Sequence, residues 1–218
     1  MNVAENKELK VLVACETSGK VREAFRAFGH DAWSCDILPS DDGSLYHHEG
    51  DCWPVIAQGW DIIMMHPPCT ALAVSGNAHY GTGKAKNAMR HEAIEWTMAL
   101  FAHAKLHASR VAFENPVGVL PIKPTQYIQP YEHGHPESKK TGLWLHNLPP
   151  LKPTKIMEKP ERGYWDNQTP SGQNKLGPSA DRWKIRSETY QGIADAMVEQ
   201  WGKELHIPKR QLELEMDE

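Results

Sequence analysis

The stretch Leu9-Lys-Val-Leu-Val-Ala14, then Cys15-Glu-Thr-Ser-Gly19, then Val21, Ala24, Phe25 and Phe28 decides the fold. A short β-branched run, a polar turn closed by glycine and apolar residues at helical spacing make strand, tight turn and helix. Gly29 ends that helix, and Asp31 to Cys35 supplies a second short strand that finishes at Asp36, so the unit is βαβ. Asp61 to Met65 is a third apolar run, cut off by His66-Pro67-Pro68, and Arg110 to Phe113 is a fourth, cut off by Glu114-Asn115-Pro116. Between those two, Ala93, Trp96, Leu100 and Ala104 trace one helical face beside Ile94, Met98 and Phe101. Strands alternating with helices predict an α/β fold, a doubly wound and mostly parallel sheet whose ligands gather at the carboxyl ends of the strands.

The rest of the chain divides around this core. Residues 1–146 hold the strand-helix alternation, with Leu143 to His146 as a further strand. Residues 147–186 are rich in Pro, Gly, Lys and Arg with little periodicity, which reads as a long loop or small insertion. Ile193, Met197 and Trp201 mark a last amphipathic helix within 187–210, and 211–218 is an acidic tail. A chain of 218 residues with formal net charge -4 suits one domain and argues against a protein that coats nucleic acid through net charge. No apolar stretch approaches the roughly 18 residues of a membrane helix, so a cytoplasmic protein without a membrane partner is expected. Cys15, Cys35, Cys52 and Cys69 are separated by 20, 17 and 17 positions, which fits neither a disulfide scaffold nor a zinc site. His103 and His107 lie four apart on a helix but lack a third ligand, and no metal is expected.

Chemistry-bearing side chains collect at the predicted strand ends. The first strand-turn-helix is a nucleotide-binding layout, although Gly19 alone is also an ordinary turn. Asp36 lies 17 residues beyond it, near the spacing of a ribose-binding carboxylate. Asp51, in Gly50-Asp51-Cys52, is either an adenine contact or a helix cap. In His66-Pro67-Pro68-Cys69-Thr70 the two prolines stiffen the loop and fix Cys69 over the cleft. Glu114 ends the neighbouring predicted strand. A thiol and a carboxyl group on adjacent strand ends suit nucleophilic addition to a heteroaromatic ring, the acid bonding a ring nitrogen as negative charge develops. A buried structural thiol and a salt-bridged strand end are the plainer alternatives.

On these residues the chain resembles small DNA (cytosine-5)-methyltransferases of the phage and prophage type. Pro67-Pro68-Cys69-Thr70 with Ser75-Gly76 resembles that family's nucleophile loop, and Glu114-Asn115-Pro116 its Glu-Asn-Val triplet. Cys15-Glu16-Thr17-Ser18-Gly19 is similar to its first cofactor loop, while Asp36-Ile37 and Gly50-Asp51-Cys52 fall where it places ribose and adenine contacts. Glu137-Ser138-Lys139-Lys140-Thr141 resembles the basic motif that contacts the flipped base, and Gly192 to Trp201 its closing helix. Thr70 stands for the usual Gln, Pro116 for the usual Val, and lysines for a Gln-Arg-Arg pattern.

The resemblance implies a Rossmann-like class I methyltransferase with a reduced target-recognition insertion at 147–186, S-adenosylmethionine as cofactor and DNA as partner. It implies catalytic roles for Cys69, Glu114, Pro68, Lys139 and Lys140, and cofactor contacts from Glu16, Thr17, Ser18, Gly19, Asp36, Ile37, Asp51, Cys52 and Pro67. Phosphate contacts are expected from Lys84, Lys86 and Arg90, and from the later set Lys152, Lys155, Arg162, Lys175, Arg182, Lys184 and Arg186. Trp165 and Trp183 are base-stacking side chains or core anchors. So short a segment implies relaxed sequence specificity. Three rivals remain: an amino methyltransferase, an enzyme acting on a free cytosine nucleotide, and a silent relic that binds nucleic acid.

Overall fold

The computed structural model describes residues 7–179 and 182–203, without the Trp183 side chain. The acidic tail and the end of the expected last helix lie outside the described residues. Seven strands form one sheet: β1 (Lys10–Ala14), β2 (Asp31–Asp36), β3 (His47–Glu49), β4 (Trp60–Met65), β5 (Ala108–Pro116), β6 (Gln126–Ile128) and β7 (Thr141–His146). Their order is β3-β2-β1-β4-β5-β7-β6. β1 to β5 run parallel to one another, while β7 runs antiparallel between β5 and β6. This is the doubly wound, mostly parallel α/β sheet that the sequence predicts, and its winding reverses between β1 and β4, the crevice where such sheets take ligands.

The central strands are apolar throughout because both of their faces are covered. Val11 and Val13 of β1 point to one face, with Ile62, Met64 and Ala112, and meet α1 (Lys20–Ala27) and α6 (Gln191–Trp201) through Phe25, Met197 and Trp201. Leu12 and Ala14 point to the other, with Ile63, Met65 and Val111, and meet α2 (Cys52–Ile56) and α4 (Asn87–His107) through Ile56, Leu100 and Phe101. Phe113 stacks on Trp144 with ring centroids 4.4 Å apart and meets Phe101 edge-on at 4.8 Å, which ties β7 and α4 to the centre. Two further short helices, α3 (Asn77–Tyr80) and α5 (Arg182–Ser187), lie outside these layers.

Within the expected loop or insertion of 147–186, residues 148–179 contribute no helix or strand, whereas α5 begins at Arg182. Their first part is nonetheless fixed to the core. Leu148 and Leu151 are buried there, Trp201 Nε1 donates to Pro149 O at 3.0 Å, and Gln200 exchanges two hydrogen bonds with the Lys152 backbone. Trp165 is also buried, stacked on Tyr131 at 4.6 Å. Of its two expected roles, the core anchor is the one it fills, because its ring face already has a partner.

Candidate active site

The expected site residues converge on one edge because parallel strands end there together. Cys15 to Gly19 follow β1, Asp36 and Ile37 follow β2, Gly50 to Cys52 follow β3, and His66 to Cys69 follow β4. Backbone bonds cross-link these ends: Glu16 N–H donates to Cys35 O at 3.2 Å, Gly50 N–H to Asp36 O at 2.7 Å, and His66 N–H to Ala14 O at 2.9 Å. The loop after β1 turns through Gly19, whose φ of 71° suits glycine. A Cβ there would stand 2.2 Å from the Arg22 guanidinium, so the turn and the buried Arg22 exclude any larger residue. Arg22 holds Ser34 Oγ at 2.7 Å and the Asp42 carboxylate, which fastens the loop after β2 to the helix that follows β1. Thr17 is committed to the same fastening, its hydroxyl donating to Asp41 at 2.9 Å.

Glu16 is 7% exposed, and although Ser18 donates to its Oε1, its Oε2 has no partner among the described residues. A buried carboxylate oxygen left unmatched is costly and suits a cationic or hydroxyl ligand group. Burial raises the Asp36 pKa, with the Leu38 and Ile37 N–H groups and His47 opposing it. The adjacent Ile37 is 77% exposed, an apolar surface at the crevice mouth. Asp51 caps α2 by accepting from Trp53 N–H at 3.2 Å. Cys52 hydrogen-bonds the Cys15 thiol, which that bond and burial push well above its ordinary pKa. No group of three metal-ligating side chains occurs among the described residues, and His103 Nε2 is engaged with Trp53 O at 3.3 Å.

The Cys69 loop is built by its neighbours. Asn115 Nδ2 donates to Pro67 O at 2.9 Å, joining the two prolines to the end of β5. Leu72 and Ala73 N–H groups donate back to Cys69 O at 3.0 and 2.8 Å, so Cys69 opens a tight turn. Val74 and Val119 complete a backbone ladder with the segment after β5, and Gly118 is required there because a Cβ would stand 2.5 Å from Leu72 O. Arg90 corrects the expectation of a phosphate contact. It is buried, donating to Ala71 O at 2.7 Å, Ala73 O at 3.3 Å and Asn77 Oδ1 at 2.8 Å, and so braces the turn from α4.

Glu114 stands beside this loop through the pairing of Met65 with Phe113 in β4 and β5. Its Oε2 lies 3.5 Å from His66 Nδ1 and 3.5 Å from Thr189 Oγ1. Burial works to raise its pKa, but the His66 bond and charge, Lys139 and Thr189 together hold it below the ordinary glutamate value. Burial raises the Cys69 thiol, and Lys139 and Arg186 pull against that rise while Glu114 adds to it. Lys139 is therefore part of the same electrostatic set, its Nζ donating to Glu188 O at 3.1 Å. Lys140 is not. It is exposed and lies over the Tyr127 ring of β6 at 4.2 Å. The antiparallel course of β7 explains how Lys139 arrives: Thr141 pairs with Pro116, so the start of β7 meets the end of β5.

No family model matches the chain, and no curated protein does. Among solved structures it is similar to the Dnmt2 methyltransferase of S. pombe, with 16% identity and a TM-score of 0.45 over 66% of this chain and 51% of that one. It is similar as well to the Entamoeba histolytica methyltransferase EhMeth, with 13% identity and a TM-score of 0.47 over 70% of this chain and 57% of that one. The chain thus spans between half and three-fifths of the length of these two proteins. The α/β Rossmann-like class rests on the sheet itself.

Two groups escaped the sequence reading. The first is the bracing role of Arg90, although Arg90, Thr97, Phe101 and Ala104 share the buried face of α4 and that periodicity was available. The second is the strap of 182–190, which ties the two halves of the site together. Lys184 pairs with Asp41 at 2.7 Å, Glu188 with Lys20 at 2.6 Å, and Thr189 with Glu114. Nothing in its composition signals those contacts.

Proposed function

We propose that this chain transfers a methyl group from S-adenosylmethionine to C5 of cytosine in DNA, with Cys69 as covalent nucleophile. The observation that carries the reading is the placement of the Cys69 thiol and the Glu114 carboxylate on adjacent strand ends, with Lys139 acting on both. The crevice between β1 and β4 suits the cofactor. Glu16 offers its unmatched Oε2 to the ammonium group, Asp36 its carboxylate to the ribose hydroxyls, and Ile37 an apolar surface to the purine. When bound, S-adenosylmethionine supplies an electrophilic methyl group. Cys69 adds through Sγ to C6 while N3, on which negative charge develops, takes a proton through Glu114, which makes C5 nucleophilic. C5 then takes that methyl group, and loss of the C5 proton to solvent expels Cys69 as the thiolate. Lys139 and Arg186 favour the thiolate that begins the sequence, against the burial that disfavours it.

A duplex hides C5 and C6, so the base leaves the stack at a cost of a few kcal/mol. Exposed Lys84, Lys86, Lys152, Lys155 and Lys175 are available to phosphates and offset part of that cost. Phosphate contacts carry no direct sequence information, which supports relaxed specificity. Several other candidates are engaged within the protein: Arg90 in the nucleophile turn, Arg162 with Asp166, and Lys184 with Asp41. That observation favours the second reading, a free cytosine nucleotide as substrate.

The test uses the wild type and Cys69→Ala with DNA containing 5-fluorocytosine, and in parallel with DNA or dCMP and labelled cofactor, followed by nucleoside mass spectrometry. The expected result is a denaturation-resistant DNA complex with wild type alone, and 5-methylcytosine as product. Label in dCMP only replaces DNA by the nucleotide. Trapping by Cys69→Ala, or a methylated exocyclic nitrogen, overturns the mechanism.

A further inference from the structure

His66 has no role in the reaction as described above, yet its side chain is placed where only Glu114 can use it. The backbone fixes it first. His66 N–H is held by Ala14 O at 2.9 Å, and Pro67 follows directly. Its Nδ1 then lies 3.5 Å from Glu114 Oε2, with the His66 side chain 12% exposed and that of Glu114 11% exposed. On its other side Nε2 is buried without a partner.

The surroundings decide what such an imidazole does. A cavity of about 10 Å³ beside it is walled by Met64 and Met65 of β4, Ala112 and Phe113 of β5, Leu143 of β7 and Met197 of α6, and Glu114 is the only other titratable group on that wall. Beyond the wall, Lys139 and Thr189 act on Glu114 from the segment before β7 and the strap, and Cys69 and Arg186 act on one another nearby. His30 and His133 also bury an unmatched Nε2, but their Nδ1 atoms meet neutral groups, the Leu9 N–H at 3.3 Å and the Thr154 hydroxyl at 3.1 Å. Among the described residues His66 instead faces a carboxylate, and that carboxylate is the one proposed to act on the base.

We infer that His66 is the positioning residue for Glu114 and stores the proton that Glu114 delivers to cytosine N3. The inference rests on the proposed cytosine chemistry. As the bond between Cys69 Sγ and C6 forms, the C5=C6 pair moves to C4–C5 and the C4=N3 pair moves onto N3. N3 takes a proton from Glu114, and Glu114 takes the Nδ1 proton of the His66 imidazolium, which becomes neutral. When the S–C6 bond breaks, N3 returns its proton to Glu114 and Glu114 to His66, so the pair ends as it began. The pair is competent only while it holds that proton. The rate of addition therefore falls as pH rises and the pair loses it.

His66→Asn tests this, because the amide keeps a donor near the Nδ1 position but stores no proton. Single-turnover methylation and 5-fluorocytosine trapping are followed against pH. The expected result is a loss of about 10² in rate, the lower end for proton-transfer groups, together with loss of the alkaline limb that the inference expects of wild type. Wild-type rate with the alkaline limb intact overturns the inference, while Cys69-dependent trapping by wild type leaves the cytosine chemistry standing. If wild type methylates no cytosine, the chemistry itself falls, and the inference falls with it. A second measurement is independent of turnover and covers a variant that does not fold. The imidazole ¹⁵N titration of His66 must move to lower pH in Glu114→Gln, where the neighbouring charge is gone. An unmoved titration removes the coupled pair.

Discussion

Replacing Arg90 with methionine isolates the brace of the Cys69 turn. The methylene stem is kept in outline, so the change removes mainly the guanidinium and its bonds to Ala71 O, Ala73 O and Asn77 Oδ1. Two of these, at 2.7 and 2.8 Å, are well formed, and the third at 3.3 Å is weak. Hydrogen bonds from a charged donor contribute about 1.5–3 kcal/mol each, and losing the donor leaves carbonyls in a buried turn unmatched. Removing the burial cost of the charge offsets part of this, for a net loss of about 3 kcal/mol. For a chain of this size that lowers Tm by roughly 6–12 °C. Urea denaturation reads the stability, and the rate of Cys69 trapping by 5-fluorocytosine DNA reads the turn. Trapping should slow at a temperature where the variant is fully folded, because the turn that presents Sγ has lost its support. Arg90→Lys should recover about half of the stability through a single bond. A loss below about 1 kcal/mol with wild-type trapping would show that the backbone ladder to Val117 and Val119 holds the turn alone.

The remaining predictions concern the site itself. Because burial raises the Cys69 thiol, its alkylation near neutral pH should be slower than that of free cysteine and should keep climbing beyond the ordinary thiol range. Lys139→Met should push that profile further up, as peptide mass spectrometry can follow. Glu114→Gln should lower methyl transfer by roughly 10² or more while leaving cofactor affinity by calorimetry unchanged. Asp36→Ala should weaken cofactor binding directly. Since burial raises the Asp36 pKa, wild-type binding should weaken as pH falls through that raised value, earlier than for an exposed aspartate. Trp165→Ala should cost about 3 kcal/mol in urea denaturation with no selective loss of DNA binding, because its ring already stacks on Tyr131.

Particular residues show what the sequence could convey. Leu12, Ile63 and Val111 sit in strands buried on both faces, so β1, β4 and β5 stand out as apolar runs. β3, with His47, His48 and Glu49, is a polar edge strand and carries no such signature. Cys69 and Glu114 were legible because each closes an apolar run at a proline, and the strand register then makes them neighbours. Their electrostatic partners were not. The direction of β7 is set by tertiary pairing, and that direction alone brings Lys139 to the site and leaves Lys140 on Tyr127. Arg90 illustrates the opposite case. Its basic character in a polar stretch suggested a surface contact, while its place on the buried face of α4 marked a core residue.

The strap that joins Thr189 to Glu114 and Glu188 to Lys20 has a consequence for the order in which the protein becomes active during synthesis. A nascent chain that has made β5 already contains the Cys69 turn and the Glu114 carboxylate. It still lacks β7, which carries Lys139 to them, and α6, whose fully buried Trp201 closes the face shared with α1. The cations that act on the thiol, Lys139 and Arg186, lie later in the chain than β5, so the thiol meets both only when translation has passed residue 186. A shorter nascent chain therefore holds the Cys69 turn without the two charges that oppose the effect of its burial.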